Sequence, residues 1–277
     1  MLFTVVIPTY HRNDLLRLCL ESLAPNKQSL DNKYYEVIVT DDGKNTTAEA
    51  MIKKDFSWVQ WVKGPQKGPA SNRNFGAKNA KNGWLVFIDD DCVPDRELLS
   101  NYKKIIQLKK EIKVFEGKIK ADREKQRFDE ESPVNLYGGY LWSCNFAIEK
   151  KFFEQLGGFD ENFPSAAMED VDLRERIYNK NTEIYFNENA VVIHPFRKKA
   201  PLSKIKYRMQ SIIYFNKKHN KHKNVFSLKV SFEVYVRKLF KVVKKMFRFK
   251  FQGIYYILKL IHLSLFYKIK YRVFKKI

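Results

Sequence analysis

The apolar residues Trp84-Leu85-Val86-Phe87-Ile88 run directly into three carboxylates, Asp89-Asp90-Asp91. Such an uninterrupted apolar run, rich in Val, Phe and Ile, is typical of a strand in a sheet covered on both faces. Three adjacent acids repel one another and cost stability unless a cation lies among them. Open α/β sheets bind ligands at the carboxyl ends of their strands, and carboxylate oxygens suit Mg²⁺ or Mn²⁺. The stretch therefore predicts a site for a metal and a phosphorylated ligand, the alternative being a solvated acidic turn that caps a helix beginning near Pro94.

The charge is distributed unevenly along the 277 residues. From Arg197 to the end there are 24 Lys and Arg residues and a single acid, Glu233, whereas the first 196 residues hold 28 bases and 30 acids. The basic excess therefore belongs to a tail, which predicts an anionic partner for the tail alone. The preceding residues have the composition of an ordinary globular domain.

Cysteine use and hydropathy predict the compartment. The three cysteines are widely spaced, which argues against a disulfide scaffold or a zinc site and favours a reducing compartment. The chain begins with a predicted strand, Leu2–Ile7, and not with a signal peptide. The longest apolar candidate for a spanning helix, Ile254–Tyr267, is too short and is interrupted by Lys259. These features predict a cytoplasmic protein without a transmembrane anchor.

Strands and helices alternate in the first half of the chain. The predicted strands there are 2–7, 36–40, 58–62 and 84–88, and the predicted helices begin near Asn13, Ala48, Ser71 and Glu97. This alternation predicts a mostly parallel sheet with helices on both faces. Two strands end in acids, at Asp41-Asp42 and at Asp89 to Asp91, and parallel strands would bring both clusters to the same edge.

The alternation ends in the second half. The predictions there are a strand at Lys113–Ile119, a mobile loop at Ala121–Asn135, an extended segment at Gly138–Ile148, a helix beginning at Met168–Asp172, and strands at Glu183–Asn187 and Ala190–Ile193. From Pro201 onward, apolar and aromatic residues alternate with Lys and Arg at helical spacing. Helices of this composition lie in a membrane interface, with lysines directed toward anionic headgroups.

Taken in order, these motifs resemble those of the family 2 glycosyltransferases of GT-A fold. The matching segments are Val5 to Tyr10, Asp41-Asp42-Gly43, Gly68 to Asn74, the D-x-D element at Asp89 to Asp91, Gly157 to Asp160 and Glu169-Asp170. The resemblance covers roughly residues 3–195. It implies an α/β fold, with a GT-A type, Rossmann-like and mostly parallel sheet. A basic amphipathic helical C-terminal tail would follow.

The resemblance also implies a division of the chain. Residues 1–100 would form the nucleotide-sugar-binding half, and residues 101–199 the acceptor-binding and catalytic half. Residues 200–277 would form a membrane-associating region.

The resemblance implies a nucleotide site. Thr9 and Asp42 would contact the nucleobase, and Arg73 would reach the base or the diphosphate. Asp89 and Asp90 would hold the ribose or a water on the metal. The alternatives are a turn-forming role for Asp42, before Gly43, and an exposed helix arginine for Arg73.

The implied metal is Mn²⁺ or Mg²⁺. Asp91 would be its direct ligand, with Asp89 as a further candidate. His194 resembles a third ligand that some relatives use, although a histidine before a proline is often structural. The metal would neutralise the diphosphate as it leaves.

The implied chemistry is a single displacement that inverts the anomeric centre. Asp170 would be the base that takes the acceptor proton, and Glu169 would orient the acceptor or the base. The structural alternative is that both acids merely begin a helix. Trp142 and Tyr140 would stack on the acceptor sugar, with core packing as their alternative.

The resulting hypothesis is an inverting transferase with a nucleotide-diphosphate sugar donor, expected to be a UDP-sugar. Its acceptor would be a hydroxyl of a glycan or glycolipid, in the assembly of a bacterial-type surface polysaccharide such as lipopolysaccharide, capsule or exopolysaccharide. The enzyme would be cytoplasmic and peripherally bound to the inner face of the membrane. The competing hypotheses are a nucleic-acid-binding protein, a non-catalytic membrane adaptor and a nucleotidyltransferase. No nucleic acid is expected as a partner, because the predicted crevice is lined by acids that repel phosphates.

Overall fold

The computed structural model describes residues 2–221 and 227–274. The chain forms two compact units. The first comprises Met1–Asp122, Pro133–Glu161 and Glu169–Pro195, and the second comprises Arg123–Ser132, Asn162–Met168 and Phe196–Ile277. The predicted membrane-associating region falls in the second unit, and its residues 222–226 and 275–277 lie outside the described residues.

The first unit contains a sheet of eight strands. These are β1 (Phe3–Thr9), β2 (Tyr35–Asp41), β3 (Val59–Lys63), β4 (Trp84–Phe87), β5 (Val93–Pro94), β6 (Val114–Ala121), β8 (Phe146–Glu149) and β9 (Ile184–His194), whereas β7 (Glu130–Glu131) and β10 (Arg197–Lys198) pair in the second unit. The strand order of the sheet is β3-β2-β1-β4-β8-β6-β9-β5. β1 to β4 are parallel to one another where they pair, and β8 runs antiparallel to both β4 and β6.

Helices cover both faces of this sheet. They are α1 (Asn13–Leu23), α2 (Glu49–Asp55), α3 (Pro69–Asn79), α4 (Leu98–Leu108), α5 (Lys150–Gln155) and α6 (Glu169–Tyr178). Alternate residues of a strand point to opposite faces, so Val5 and Ile7 pack in one core with α1 and α4, while Val6 packs in a second core with α3, α5 and α6. The predicted fold class is confirmed: a mostly parallel sheet with helices on both faces, followed by a helical tail.

Two glycines let α3 approach the sheet edge. Gly68 precedes the helix with φ of +98°, a conformation that favours glycine, and Pro69 then begins the helix. Gly76 lies so close to β1 that a Cβ there would collide with Cγ1 of Val6. This close contact fixes the position of the residues on the first turns of α3, including Arg73.

Three sequence-based expectations differ from the structure. The segment Ala121–Asn135 is not simply a mobile loop, because it contains β7 and the buried Glu130, which accepts hydrogen bonds from Arg123 at 2.8 and 3.2 Å. Gly138–Ile148 is not extended throughout: Gly138, Gly139 and Leu141 have positive φ, and β8 begins only at Phe146. The two predicted strands near the end of the unit are one strand, β9, whose pairing with β6 shifts register at Gly117/Lys118.

The second unit is mainly helical. Its long helices are α7 (Ile205–Lys218), α8 (Leu228–Lys245) and α9 (Ile254–Phe274). Phe128 packs in its core with residues of α8 and α9, among them Val242 and Ile261. Among residues 2–221 and 227–274, no helix combines the length and apolar composition that crossing a bilayer requires.

Candidate active site

The candidate site lies where strands of the first unit end. β1 ends at Thr9, β2 ends at Asp41, β4 is followed by Asp89 to Asp91, and β9 ends at His194. β1 is parallel to both β2 and β4. β8 is antiparallel to both β4 and β6, so β6 runs in the same direction as β4, and β9 is parallel to β6. The ends of β1, β2, β4 and β9 therefore point the same way. The fold therefore brings the predicted residues of these strands to one edge of the sheet, where open α/β sheets hold ligands.

The first acid of the triplet, Asp89, is paired with Arg73 of α3. Nη2 of Arg73 lies 2.6 Å from Oδ1 of Asp89, and Nη1 lies 3.7 Å from Oε1 of Glu169. Although burial lowers the pKa of Arg73, the surrounding carboxylates of Asp89, Asp170 and Glu169 raise it above its ordinary value. Arg73 is thus a buried counter-charge between two groups of acids and not the exposed helix arginine of the alternative interpretation.

The other two acids share a cation that the sequence analysis did not identify. The guanidinium of Arg12, between β1 and α1, lies 2.7 Å from Oδ1 of Asp90 and 3.0 Å from Oδ2 of Asp91. Oγ1 of Thr9 donates to Asp90 Oδ2 at 2.7 Å, so Thr9 supports the triplet in this structure. Burial raises the pKa of Asp90 to about 7, even though the charge of Arg12 lowers it.

Asp41 and Asp42 have different partners. Asp41 forms the turn, since it accepts the backbone N–H groups of Gly43 at 2.8 Å and Ala48 at 2.6 Å. Asp42 instead accepts the backbone N–H groups of Gln66 at 2.9 Å and Gly68 at 3.1 Å. Burial raises the pKa of Asp42 from its ordinary value, and these two hydrogen bonds oppose that rise. The turn-forming role considered for Asp42 therefore belongs to Asp41, and Asp42 holds the loop before α3.

His194 and Asp91 form the closest candidate for a metal site. Nδ1 of His194 lies 2.9 Å from the carbonyl oxygen of Pro195, which can only accept, so Nδ1 carries a proton. This leaves Nε2 facing Oδ1 of Asp91 at 3.2 Å. Burial lowers the pKa of His194, but the hydrogen bond and charge of Asp91 outweigh that effect and raise it.

This pair fits a divalent cation. Metal–ligand bonds of about 2.0–2.2 Å place neighbouring ligand atoms roughly 3 Å apart, as Asp91 and His194 are. A thiol, that of Cys92, also lies in the group, whose ligand atoms are all within 4.8 Å of one another. Mg²⁺ and Mn²⁺ prefer oxygen ligands to sulfur, so the thiol of Cys92 is a weak ligand for either metal. The donors that fit are thus one carboxylate and one imidazole.

Glu169 and Asp170 begin α6 opposite Arg73. Oδ2 of Asp170 accepts the backbone N–H of Ser143 at 3.1 Å and lies 3.4 Å from its Oγ. Glu169 is buried and its Oε2 has no hydrogen-bond partner among the described residues, whereas Asp170 keeps part of its surface accessible. Burial is the largest cause that raises the pKa of both carboxyl groups, and a nearby negative charge adds to it, that of Asp170 for Glu169 and that of Asp89 for Asp170. A carboxylate with a raised pKa and access to solvent is suited to accept a proton.

Tyr140 and Trp142 lie on the bend that precedes β8. Their rings are stacked, with centroids 5.5 Å apart and planes inclined by 10°. Tyr140 is 47% exposed, while Trp142 is half-buried against the core that contains α1 and α4. Trp142 is therefore partly a core residue, whereas the ring of Tyr140 is accessible to solvent.

Glu116 of β6 holds this bend, and the sequence analysis missed its role. Its carboxylate accepts the backbone N–H groups of Gly139 at 2.7 Å, of Tyr140 at 2.8 Å and of Leu141, and the side-chain amide of Asn135 at 2.7 Å. The only clue in the sequence was a single acid inside an apolar strand. No local pattern indicates the roles of Arg12 and Ser143, because the acids that they contact are distant in the chain.

We expect Glu116→Gln to destabilise the first unit by about 2–4 kcal/mol, because an amide nitrogen would face backbone N–H donors that then lose their acceptor. Denaturant unfolding measures the loss, and hydrogen exchange should accelerate at Gly139 to Leu141. Glu188→Gln is the control, because Glu188 is 70% exposed and makes only a 3.7 Å ion pair with Lys118. Equal stability of the two variants would show that Glu116 does not organise the bend.

Comparisons with known proteins show what the chain is similar to. The family model described as "Glycosyl transferase family 2" matches residues 4–156. The GalNAc(5)-diNAcBac-PP-undecaprenol beta-1,3-glucosyltransferase of Campylobacter jejuni is 26% identical over 202 residues, 69% of this chain and 62% of that protein. Three other curated relatives are matched over 16%, 34% and 51% of their own lengths, so the chain spans only part of each.

Two solved structures share the fold. S. aureus TarS 1-349 in complex with UDP-GlcNAc has a TM-score of 0.57 and 24% identity, over 73% of this chain and 61% of that chain. Mannosyltransferase PcManGT from Pyrobaculum calidifontis, in complex with GDP-Man and Mn²⁺, has a TM-score of 0.60 and 17% identity, over 80% of this chain and 65% of that chain. At these identities the two structures support the fold alone.

Proposed function

The chain belongs to glycosyl transferase family 2, and on that premise we propose that it is a metal-dependent inverting glycosyltransferase. It moves a sugar from a nucleotide diphosphate, in our proposal a UDP-sugar, to a hydroxyl of a glycan or lipid-linked acceptor in surface polysaccharide assembly. The observation that carries the proposal is the position of Arg73, between Asp89 after β4 and Glu169 at the start of α6. That arginine lies beside one acid of the proposed nucleotide-sugar site and one acid of the proposed catalytic pair.

The donor side of the site binds and neutralises the nucleotide diphosphate. Nε and Nη1 of Arg73 are buried and have no hydrogen-bond partner among the described residues, and in our proposal the positive charge of Arg73 attracts the nucleotide diphosphate. Thr9 and Asp42 lie at the ends of adjacent strands and are the proposed nucleobase contacts. Asp91 and His194 are the proposed metal ligands, with Asp89 and Asp90 beside them. The metal, when bound, supplies the positive charge that stabilises the departing diphosphate.

The acceptor side performs the proton transfer. Asp170, held by Ser143, takes the proton of the acceptor hydroxyl as that oxygen forms its bond to the anomeric carbon. The bond from the anomeric carbon to the diphosphate oxygen breaks on the opposite face, and the nucleotide leaves with both bonding electrons. Glu169 orients the acceptor or the base. The accessible ring of Tyr140, with Trp142 beneath it, provides a surface on which a sugar ring stacks.

A panel of nucleotide sugars tests the donor assignment. The purified protein is incubated with UDP-, GDP- and TDP-sugars in Mn²⁺, and release of the nucleotide is measured together with the anomeric configuration of any transfer product. We expect slow hydrolysis of a UDP-sugar, inhibited by EDTA, and an inverted product. Hydrolysis of none of the panel, or a product with retained configuration, would contradict the proposal.

We also propose that the second unit holds the enzyme on the anionic inner face of the cytoplasmic membrane. One face of α8 and the turn after it exposes apolar side chains at intervals of three or four residues: Phe232, Val236, Phe240, Val243 and Phe247, each 48–73% exposed. An adjacent face of α8 packs inward through Leu239 and Val242, so these two residues do not belong to the exposed set. Lysines flank the exposed face, and Lys244 lies 4.7 Å from the Phe240 ring centroid. Apolar side chains with flanking lysines match the interface of an anionic bilayer.

Phe240→Asp/Phe247→Asp is expected to abolish sedimentation with vesicles of phosphatidylglycerol and phosphatidylcholine, because two carboxylates would enter the apolar interface. Donor hydrolysis should be unchanged, since the proposed site lies in the first unit. The matched control is Leu108→Asp, an equally exposed leucine (69%) at the end of α4. These substitutions are preferable to truncation at Lys199, which would also deprive Phe128 of its core partners. Undiminished sedimentation of the double variant would place the membrane contact elsewhere.

A further inference from the structure

Arg12 is more exposed than Arg73, the other arginine that pairs with an acid of the triplet. Its side chain is 38% exposed, whereas the two carboxylates that it bridges, Asp90 and Asp91, are 0% and 2% exposed. The two guanidinium nitrogens contact one oxygen of each acid. The remaining oxygens lie 2.7 Å from the hydroxyl of Thr9 and 3.2 Å from the imidazole of His194. A group of the chain itself therefore offsets part of the negative charge of the acid pair.

This arrangement places Arg12 in competition with a metal ion. Any divalent cation on Asp91 and His194 shares the Asp91 carboxylate with the guanidinium, because that carboxylate has only two oxygens. The two cations would then be a few ångströms apart in a largely buried site, where their repulsion is poorly screened. A nucleotide diphosphate supplies the additional negative charge that both cations require.

The two arginines of the site differ in their freedom to move. Arg73 is 6% exposed, pairs with Asp89 and lies 5.6 Å from the Phe159 ring centroid, so it is fixed within the core. Arg12 precedes α1 and has a path to solvent. Of these two cations, Arg12 is the one that can leave the acids without disrupting the core.

We propose that Arg12 is a built-in counter-ion of the Asp90–Asp91 pair. While Arg12 contacts the two acids it keeps free divalent metal ions from them, and it leaves the acids when a nucleotide diphosphate binds. Metal and nucleotide therefore bind together, and the metal-free protein avoids a pair of buried, uncompensated carboxylates. The inference rests on the metal site of the proposed function. It goes further in assigning to Arg12 the coupling between the metal and the nucleotide.

Mn²⁺ binding measured by electron paramagnetic resonance tests this role, with the wild-type protein, Arg12→Met, and each of them with and without UDP. Without UDP, we expect Arg12→Met to bind Mn²⁺ at least about tenfold more tightly than the wild type, because a repulsive charge is removed. UDP should strengthen Mn²⁺ binding strongly in the wild type and much less in the variant. In EDTA the variant should unfold at a lower temperature, and Mn²⁺ should restore part of that loss.

Arg17→Met is the matched control. Arg17 is a nearby arginine on α1 with similar exposure, 41%, and it pairs with Asp55, outside the site. It should bind Mn²⁺ as the wild type does, which excludes an effect of net charge alone. If Arg12→Met does not fold, Arg12→Lys serves instead, since an ammonium lacks the fork that spans two carboxylates, and an intermediate gain in Mn²⁺ affinity is expected.

The outcomes separate two failures. Mn²⁺ binding by the wild type with UDP, but no gain for Arg12→Met or Arg12→Lys without UDP, overturns the role of Arg12 and leaves the metal site intact. If none of the proteins binds Mn²⁺ under any condition, both the metal site and the role of Arg12 are wrong. A gain shown equally by Arg17→Met also overturns the proposal.

Discussion

Asp170→Asn is expected to reduce the turnover of sugar transfer by about a hundred- to ten-thousand-fold, while the affinity for the donor stays near that of the wild type. Asparagine keeps the shape of the side chain and its contact with the backbone N–H of Ser143, but it cannot accept the proton of the acceptor hydroxyl. The loss should therefore appear in the chemical step and not in donor binding. Single-turnover transfer, with donor affinity from calorimetric titration, separates these two quantities.

Glu175→Gln is a suitable control, because Glu175 lies on the same helix, and the substitution also replaces a carboxylate by an amide. Its carboxylate pairs with Arg174 at 3.6 Å and is not one of the proposed catalytic groups. This control should keep wild-type turnover. If Asp170→Asn retains more than about a tenth of wild-type turnover, the base is another group, and Glu169 becomes the first to test.

The edge of the sheet that holds the site was predictable because it depends on local patterns. Apolar runs such as Trp84–Ile88 identify buried strands, and alternation with helices makes strands parallel. Once the strands share a direction, the acids that follow β2 and β4 must lie at the same edge. The order of strands and helices along the chain is enough to place these acids, and no knowledge of tertiary contacts is needed.

The partners of those acids were not predictable in the same way. Arg12 and Asp91 are 79 residues apart in the chain, and Arg73 and Asp89 are 16 apart on different elements. Nothing in the local pattern indicates which of 52 Lys and Arg residues will meet a given carboxylate. A buried arginine and an exposed one have the same identity in the sequence, and only the packing of α3 against β1, through Gly76, makes Arg73 a core residue.

The misassigned loop shows a related limit. The charged residues between Ala121 and Asn135 indicate exposure by composition, yet Glu130 is only 3% exposed. Its carboxylate accepts hydrogen bonds from the backbone N–H groups of Gln126 and Arg127 and from the guanidinium of Arg123. The segment itself therefore supplies the hydrogen-bond donors that this buried carboxylate needs. The pKa of Glu130 is lowered to about 2, first by the hydrogen bond from Arg123. Charge predicts exposure only when no such set of donors folds around it.

Asp91→Asn is expected to eliminate detectable transfer and the Mn²⁺-dependent part of nucleotide binding, lowering UDP affinity in Mn²⁺ by at least about a hundredfold. The amide keeps the volume of the buried side chain but removes the negative charge that faces His194 at 3.2 Å and Arg12 at 3.0 Å. Calorimetric titration of UDP with Mn²⁺ and with EDTA measures the effect. Asp95→Asn, an exposed acid four residues further on, should retain the wild-type difference between the two conditions.

The loss expected for Asp91→Asn has a different origin from that expected for Asp170→Asn. Asp91 is proposed to act on the charge of the diphosphate, so its replacement should weaken binding as well as chemistry, whereas replacing the base should leave donor binding intact. An Asp91→Asn protein that still binds UDP more tightly in Mn²⁺ than in EDTA would move the metal to other ligands. Asp89 would then be the first candidate, because it lies in the same triplet and its carboxylate already carries the pair with Arg73. In that case Arg73 would need to release Asp89, and the metal site would depend on the core arginine and not on Arg12.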